Sequence, residues 1–114
     1  MRVQVLACLL ALTLLLLSPA QATELPTMTF GAGVANCASM LTQQPALSES
    51  WVLGFWTGMN AALASGRIGT GAVGAKQNSQ ILFDTVRLVC SQSPASTLFQ
   101  AAQTAFWRME VSER

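Results

Sequence analysis

The sequence predicts an all-α protein: a single small bundle of about four helices stapled by one disulfide. Three observations carry that expectation. Large apolar residues recur at helical spacing through residues 47–65, 79–92 and 95–109. These stretches are punctuated by Pro45, by a glycine-rich segment over 66–74 and by Ser93-Pro94. Finally, Cys37 and Cys90 are the only cysteines beyond the N-terminal leader, an even pair suited to a small exported domain.

Residues 1–22 read as a signal peptide. Arg2 supplies the positive end, Val5 to Leu17 form the apolar run, and Ala20-Gln21-Ala22 gives a small-residue cleavage site. The run is shorter than the roughly 20 residues a membrane-spanning helix needs. Val5-Leu6-Ala7-Cys8 resembles a lipoprotein box but precedes most of the apolar run, so lipidation is not expected. The expectation is export across the inner membrane to the periplasm, with residues 23–114 forming the helical domain and no membrane span in it. Without Arg2, five basic residues balance five acidic ones and the formal charge falls from +1 to zero. Such a domain has no electrostatic grip on nucleic acid or anionic lipid.

Taken in order, residues 23–32 are expected to be irregular or briefly extended, with Thr27 to Phe30 alternating at a strand's period. A short helix over about 34–43 carries Cys37 and stops before Pro45. A second runs from about Leu47 to Ser65, entered at Ser48 and ended by Gly66, with Val52, Phe55, Trp56, Met59 and Leu63 at helical spacing. Gly54, Gly58, Ala61 and Ser65 form a separate stripe of small side chains, and close packing of a neighbouring helix on Gly54 and Gly58 is expected. The third helix, from Asn78 or Ser79 to Gln92, has a polar face of Gln80, Asp84, Arg87 and Ser91. Ile81, Leu82, Leu88 and Val89 flank it on one side, and Phe83, Val86 and Cys90 on the other. That apolar breadth predicts a central helix with neighbours on two sides. The last helix is expected to start with Ser93 as N-cap and Pro94 in its first position. Its buried stripe is Ala95, Leu98, Phe99, Ala102, Ala105, Phe106 and Met109, and its other face carries Ser96, Gln100, Gln103 and Trp107.

Cys37 and Cys90 are expected to form a structural bridge, since neither a Cys-x-x-Cys spacing nor further His or Cys ligands are present for redox or metal chemistry. Gly69-x-Gly71-x-x-Gly74 matches the dinucleotide fingerprint literally, but a helix precedes it and Asp84 stands too near to hold a ribose, so it reads as a loop. No cofactor or metal is expected. The chain has no His, its remaining thiols are committed, and Lys76 is its sole lysine. Glu24, Glu110 and Glu113 are expected at frayed ends, leaving Glu49 and Asp84 as the only internal carboxylates. No nucleophile, base and stabiliser can be assembled from that set, and a non-enzyme is expected. Asn60, inside the second helix, calls for a buried structural hydrogen bond. Trp56 reads as core. Trp107, on the polar side of the last helix, is the leading interface candidate, with Gln103 and Arg67 as further candidate partner-binding residues.

Asn36-Cys37-Ala38-Ser39-Met40-Leu41, then Trp51 to Asn60, then Val89-Cys90 followed by Ser93-Pro94 and an alanine-rich helix, resemble a group of small exported helical proteins. The group includes the HdeA-type acid-stress chaperones and the Rap/Tai-type immunity proteins, and the resemblance spans residues 36–108. It implies a small α-helical fold with a disulfide between an early and a late helix. It also implies one of two functions: an immunity-like inhibitor of a secreted enzyme, or a chaperone of unfolded periplasmic clients. HdeA-type chaperones are rich in lysine where this chain has only Lys76, which ranks the inhibitor first.

Overall fold

The computed structural model describes residues 29–67 and 69–114, which form four α-helices preceded by a 3-10 turn at Gly31–Val34. The helices are α1 (Cys37–Gln43), α2 (Pro45–Gly66), α3 (Ser79–Gln92) and α4 (Leu98–Ser112). The leader, its cleavage site and residues 23–28 lie outside the described residues. The fold is all-α and the Cys37–Cys90 bridge is formed, joining the start of α1 to the end of α3 across a Cα–Cα distance of 6.0 Å. Both sulfurs are buried in the core.

The third helix, expected from Asn78 or Ser79 to Gln92, runs Ser79–Gln92. Asn78 caps it, its side-chain oxygen accepting from the Ile81 N–H at 3.0 Å. On its exposed face Gln80 donates to Asp84 at 2.8 Å, and Arg87 pairs with Asp84 at 4.0 Å while lying over the Phe83 ring. Leu82, Phe83, Val86, Val89 and Cys90 are buried, but Ile81 and Leu88 are exposed, Leu88 by 56%. α3 therefore buries one face rather than two, and the central place falls to α4. That helix packs on the 3-10 turn and on each of the other three. Leu98, Ala101, Ala102, Ala105 and Phe106 are all fully buried along it, and three alanines on one face let neighbours come close from both sides.

Two helix starts differ from expectation for a shared reason. α1 does not begin at Val34, because Ala35 and Asn36 are extended and the chain from 35 to 37 pairs with 96–98. Cys37 N–H donates to Ser96 O at 2.9 Å, Leu98 N–H donates to Ala35 O at 2.9 Å, and Asn36 bridges Thr97 in antiparallel sense. Asn36 then caps α1 through Ser39 N–H and also donates its amide to Pro94 O at 2.9 Å. Starting α4 at Pro94 would break that pairing. Ser93 instead closes α3, Pro94-Ala95 turn, and Thr97 starts α4 in a capping box with Gln100. Ala95 is accordingly exposed, and Ala101 takes a place in the buried stripe.

Pro45 separates α1 from α2 but belongs to the second helix, occupying its first position. Gln44 is forced off helical geometry (φ −137°, ψ 62°) by the proline that follows. Ser48 is not a cap: it is fully buried and its hydroxyl donates to Gln44 O at 2.8 Å. Val52, Trp56 and Leu63 make the buried stripe of α2, with Trp51, Phe55 and Met59 packed beside it. Trp56 meets Phe106 of α4 edge-on, with ring centres 5.1 Å apart, so the two longest helices lock through their aromatic rings.

Among the described residues, no helix packs on the small-residue stripe of α2. Gly54 and Gly58 are exposed, and a methyl group added at either would meet nothing within 4 Å among the described residues. The larger stripe, worth more apolar burial, faces the bundle instead.

Candidate interaction site

Chain leaving α2 turns at Arg67, whose left-handed backbone (φ 53°) lets its N–H close the helix on Ala64 O and Leu63 O. The segment up to Asn78 then folds back along α2. Its three fingerprint glycines all have positive φ: 74° at Gly69, 65° at Gly71 and 78° at Gly74. The pattern is thus the backbone requirement of a tightly wound loop between two helices. At Gly71 a Cβ would lie 2.8 Å from Asn60 O, and at Gly74 one would lie 2.6 Å from the Leu82 side chain.

Val73 anchors the loop. Its side chain is buried; its carbonyl accepts from Trp56 Nε1 at 2.9 Å and from Asn60 Nδ2 at 3.0 Å, and its N–H donates to Asn60 Oδ1 at 2.9 Å. Asn60 therefore meets the structural role its position in α2 called for. From the other side, Gly74 N–H donates to the Glu113 carboxylate at 3.1 Å.

The anchored loop makes one wall of a cleft of about 410 Å³, lined by Leu63 of α2, Gly69, Thr70 and Val73 of the loop, and Trp107, Glu110, Glu113 and Arg114. Trp107 stands 40% exposed, with its ring edge-on to Phe106 at 5.3 Å. Trp51 and Trp56 each donate the indole N–H to a main-chain carbonyl, of Phe30 and Val73 respectively. Among the described residues, none accepts from the indole N–H of Trp107. A second, shallower hollow on the outer side of the same ring is lined by Thr104, Arg108 and Val111.

Glu110 and Glu113 are not loose ends. α4 continues to Ser112, and the Glu110 side chain is only 16% exposed. It holds Arg114 in a forked pair, Nε to Oε1 at 3.0 Å and Nη2 to Oε2 at 2.9 Å. This hydrogen bonding, and then the attraction of the carboxylate, raise the Arg114 guanidinium above its ordinary value. The i, i+4 spacing of Glu110 and Arg114 was the available sequence signal for the pair.

Of the sequence-predicted residues, Gln103 and Trp107 lie one turn apart on the exposed side of α4. Arg67 is exposed one turn beyond Leu63 and is not part of the cleft lining. Among the described residues, no group of three or more His, Cys, Asp or Glu side chains could hold a metal ion, and no helix is long and apolar enough to cross a membrane. No family model, curated protein or solved structure matches the chain.

Proposed function

We propose that this is a non-enzymatic periplasmic protein-binding domain, acting as an immunity-like inhibitor of a secreted enzyme. The observation that carries the reading is Trp107: a large ring, partly exposed at the mouth of a cleft, whose N–H finds no acceptor among the described residues. An aromatic ring with an apolar face and a free donor is a common interface anchor, and its rigidity keeps the entropy cost of binding low. Gln103, one turn away, extends the same face. The mechanism is occlusion. The disulfide and the clasped loop hold the surface in shape before the partner arrives, so little ordering is needed at contact.

The test is capture of a partner among exported proteins by the oxidised protein and by Trp107→Ala, Gln103→Ala and Arg67→Ala. Trp107→Ala should weaken capture by about thirtyfold or more, the scale of an interface anchor. Any captured enzyme should lose activity when bound. A pH series run beside it follows oligomeric state, dye-accessible apolar surface and protection of an unfolded client. Acid-triggered opening with client protection would replace the inhibitor by an HdeA-like chaperone.

A further inference from the structure

The cleft beside Trp107 also carries a chemical preference, and the argument rests on its being the partner-binding surface proposed above. Arg114 already lays a guanidinium on Glu110 with both of its forked contacts made. The two partners are unequally embedded: the Glu110 side chain is 16% exposed and that of Arg114 is 71% exposed. The carboxylate thus belongs to the wall, while the cation that satisfies it hangs largely in water, where such a pair contributes little. Glu113 adds a second carboxylate to the lining, engaged by the Gly74 N–H alone among main-chain donors of the described residues. Two carboxylates and one guanidinium therefore line a cleft whose remaining wall includes an indole ring. Lys76 lies on the other side of Glu113, in an adjoining hollow with Thr70, Ala72 and Ala75, and makes no ion pair with it.

We propose that the cleft receives an arginine side chain of the protein partner, whose guanidinium displaces Arg114 from Glu110 and packs against the Trp107 ring. The forked geometry on Glu110 is one that a planar guanidinium matches and an ammonium does not. The indole adds attraction for a cation over its face. An acidic side chain would meet two carboxylates, and an aliphatic one would strip water from them with nothing in return. Arg114 is then an internal stand-in, occupying the site until the partner's arginine arrives.

The oxidised protein, isotope-labelled, is titrated with N-acetyl-arginine amide and in parallel with the lysine, norleucine and glutamate amides, following the Trp107 indole N–H and the amides of 69–74 and 110–114. Saturable shifts are expected there with the arginine probe, about fivefold or more tighter than with lysine, and none with glutamate. Glu110→Gln should weaken the arginine response about tenfold, and Arg114→Ala should strengthen it severalfold because the competitor is gone. Equal responses to norleucine and arginine, or weaker binding in Arg114→Ala, would overturn the assignment. A captured protein that depends on Trp107 yet is not displaced by excess arginine amide would do the same, leaving the protein-binding reading intact. Arginine amide filling the cleft with no protein partner depending on Trp107 would instead sink that reading.

Discussion

Asn60 holds Val73 by both main-chain polar groups, donating to its carbonyl at 3.0 Å and accepting from its N–H at 2.9 Å. A side-chain amide in this arrangement imitates a strand neighbour and satisfies a buried residue that has no sheet to pair with. Removing it leaves the Val73 N–H without a partner where water has little access. Asn60→Ala should therefore cost about 1–3 kcal/mol of stability. Asn60→Asp keeps the acceptor but loses the donor and should fall between the two. Urea unfolding measures the cost, and faster hydrogen exchange at Val73 would locate it in the loop. Unchanged stability in Asn60→Ala would mean the clasp contributes nothing.

The glycines of this chain divide by what surrounds them, and alanine substitution should split them in sign. Gly74 has φ 78°, and an added Cβ would press on Leu82 and on Trp56 Nε1. Gly74→Ala is expected to destabilise by about 1–3 kcal/mol, from strain and overpacking together. Gly54 and Gly58 stand in open space inside a helix, so Gly54→Ala and Gly58→Ala should each stabilise by about 0.5–1 kcal/mol. Thermal melts of the three variants decide it. Loss of stability at Gly54 or Gly58 would point to a neighbour packed on that stripe after all.

Thr97 and Ser93 offer rival starts for α4, and the capping box assigns the start to Thr97. Thr97→Ala should cost about 1 kcal/mol, whereas Ser93→Ala should stay within about 0.5 kcal/mol of the parent. Chemical denaturation of the pair gives the comparison, and the reverse ranking would contradict the boundary.

Reduction should expose how much of the stability is covalent. Cys37 and Cys90 close a loop of 53 residues, and on the chain-entropy account the bridge contributes about 4 kcal/mol. A single domain is typically stable by only about 5–15 kcal/mol. Melting with and without reductant, or of the Cys37→Ala/Cys90→Ala variant, should show a large fall in Tm. A shift of only a few degrees would mean that helix packing alone carries the fold.

The two tryptophans on either side of the core boundary should behave oppositely. Trp56 is buried, hydrogen-bonded and packed on Phe106, and Trp56→Ala is expected to cost about 3–5 kcal/mol. Trp107→Ala should cost about 1 kcal/mol or less in stability while abolishing most partner capture. Equilibrium unfolding alongside the capture assay separates the two effects. A Trp107 variant that fails to fold would make that residue structural.

What the amino-acid sequence determined by itself was local or covalent. The span from Asn78 or Ser79 to Gln92 and the helical period from Leu82 to Cys90 set α3 within one stretch of chain. Cys37 and Cys90 are the only cysteines after residue 22, which made their pairing legible. Asn60 inside α2 had to find a partner or face solvent, and a structural hydrogen bond was the expected outcome. The tertiary structure decided whatever depended on residues far apart. The starts of α1 and α4 both moved because residues 35–37 pair with residues 96–98, and no local propensity encodes a contact sixty residues away. Pro94 is a good first residue of a helix in isolation, and that preference is worth less than the backbone hydrogen bonds it would break. The stripe at Gly54 and Gly58 permits close approach without requiring it, and which face of α2 turned inward was settled by the larger burial on the Val52, Trp56 and Leu63 side. The cleft is the furthest from the sequence of all. It exists because three left-handed glycines carry the loop back to Asn60 and Glu113, and so bring Thr70 and Val73 beside Trp107.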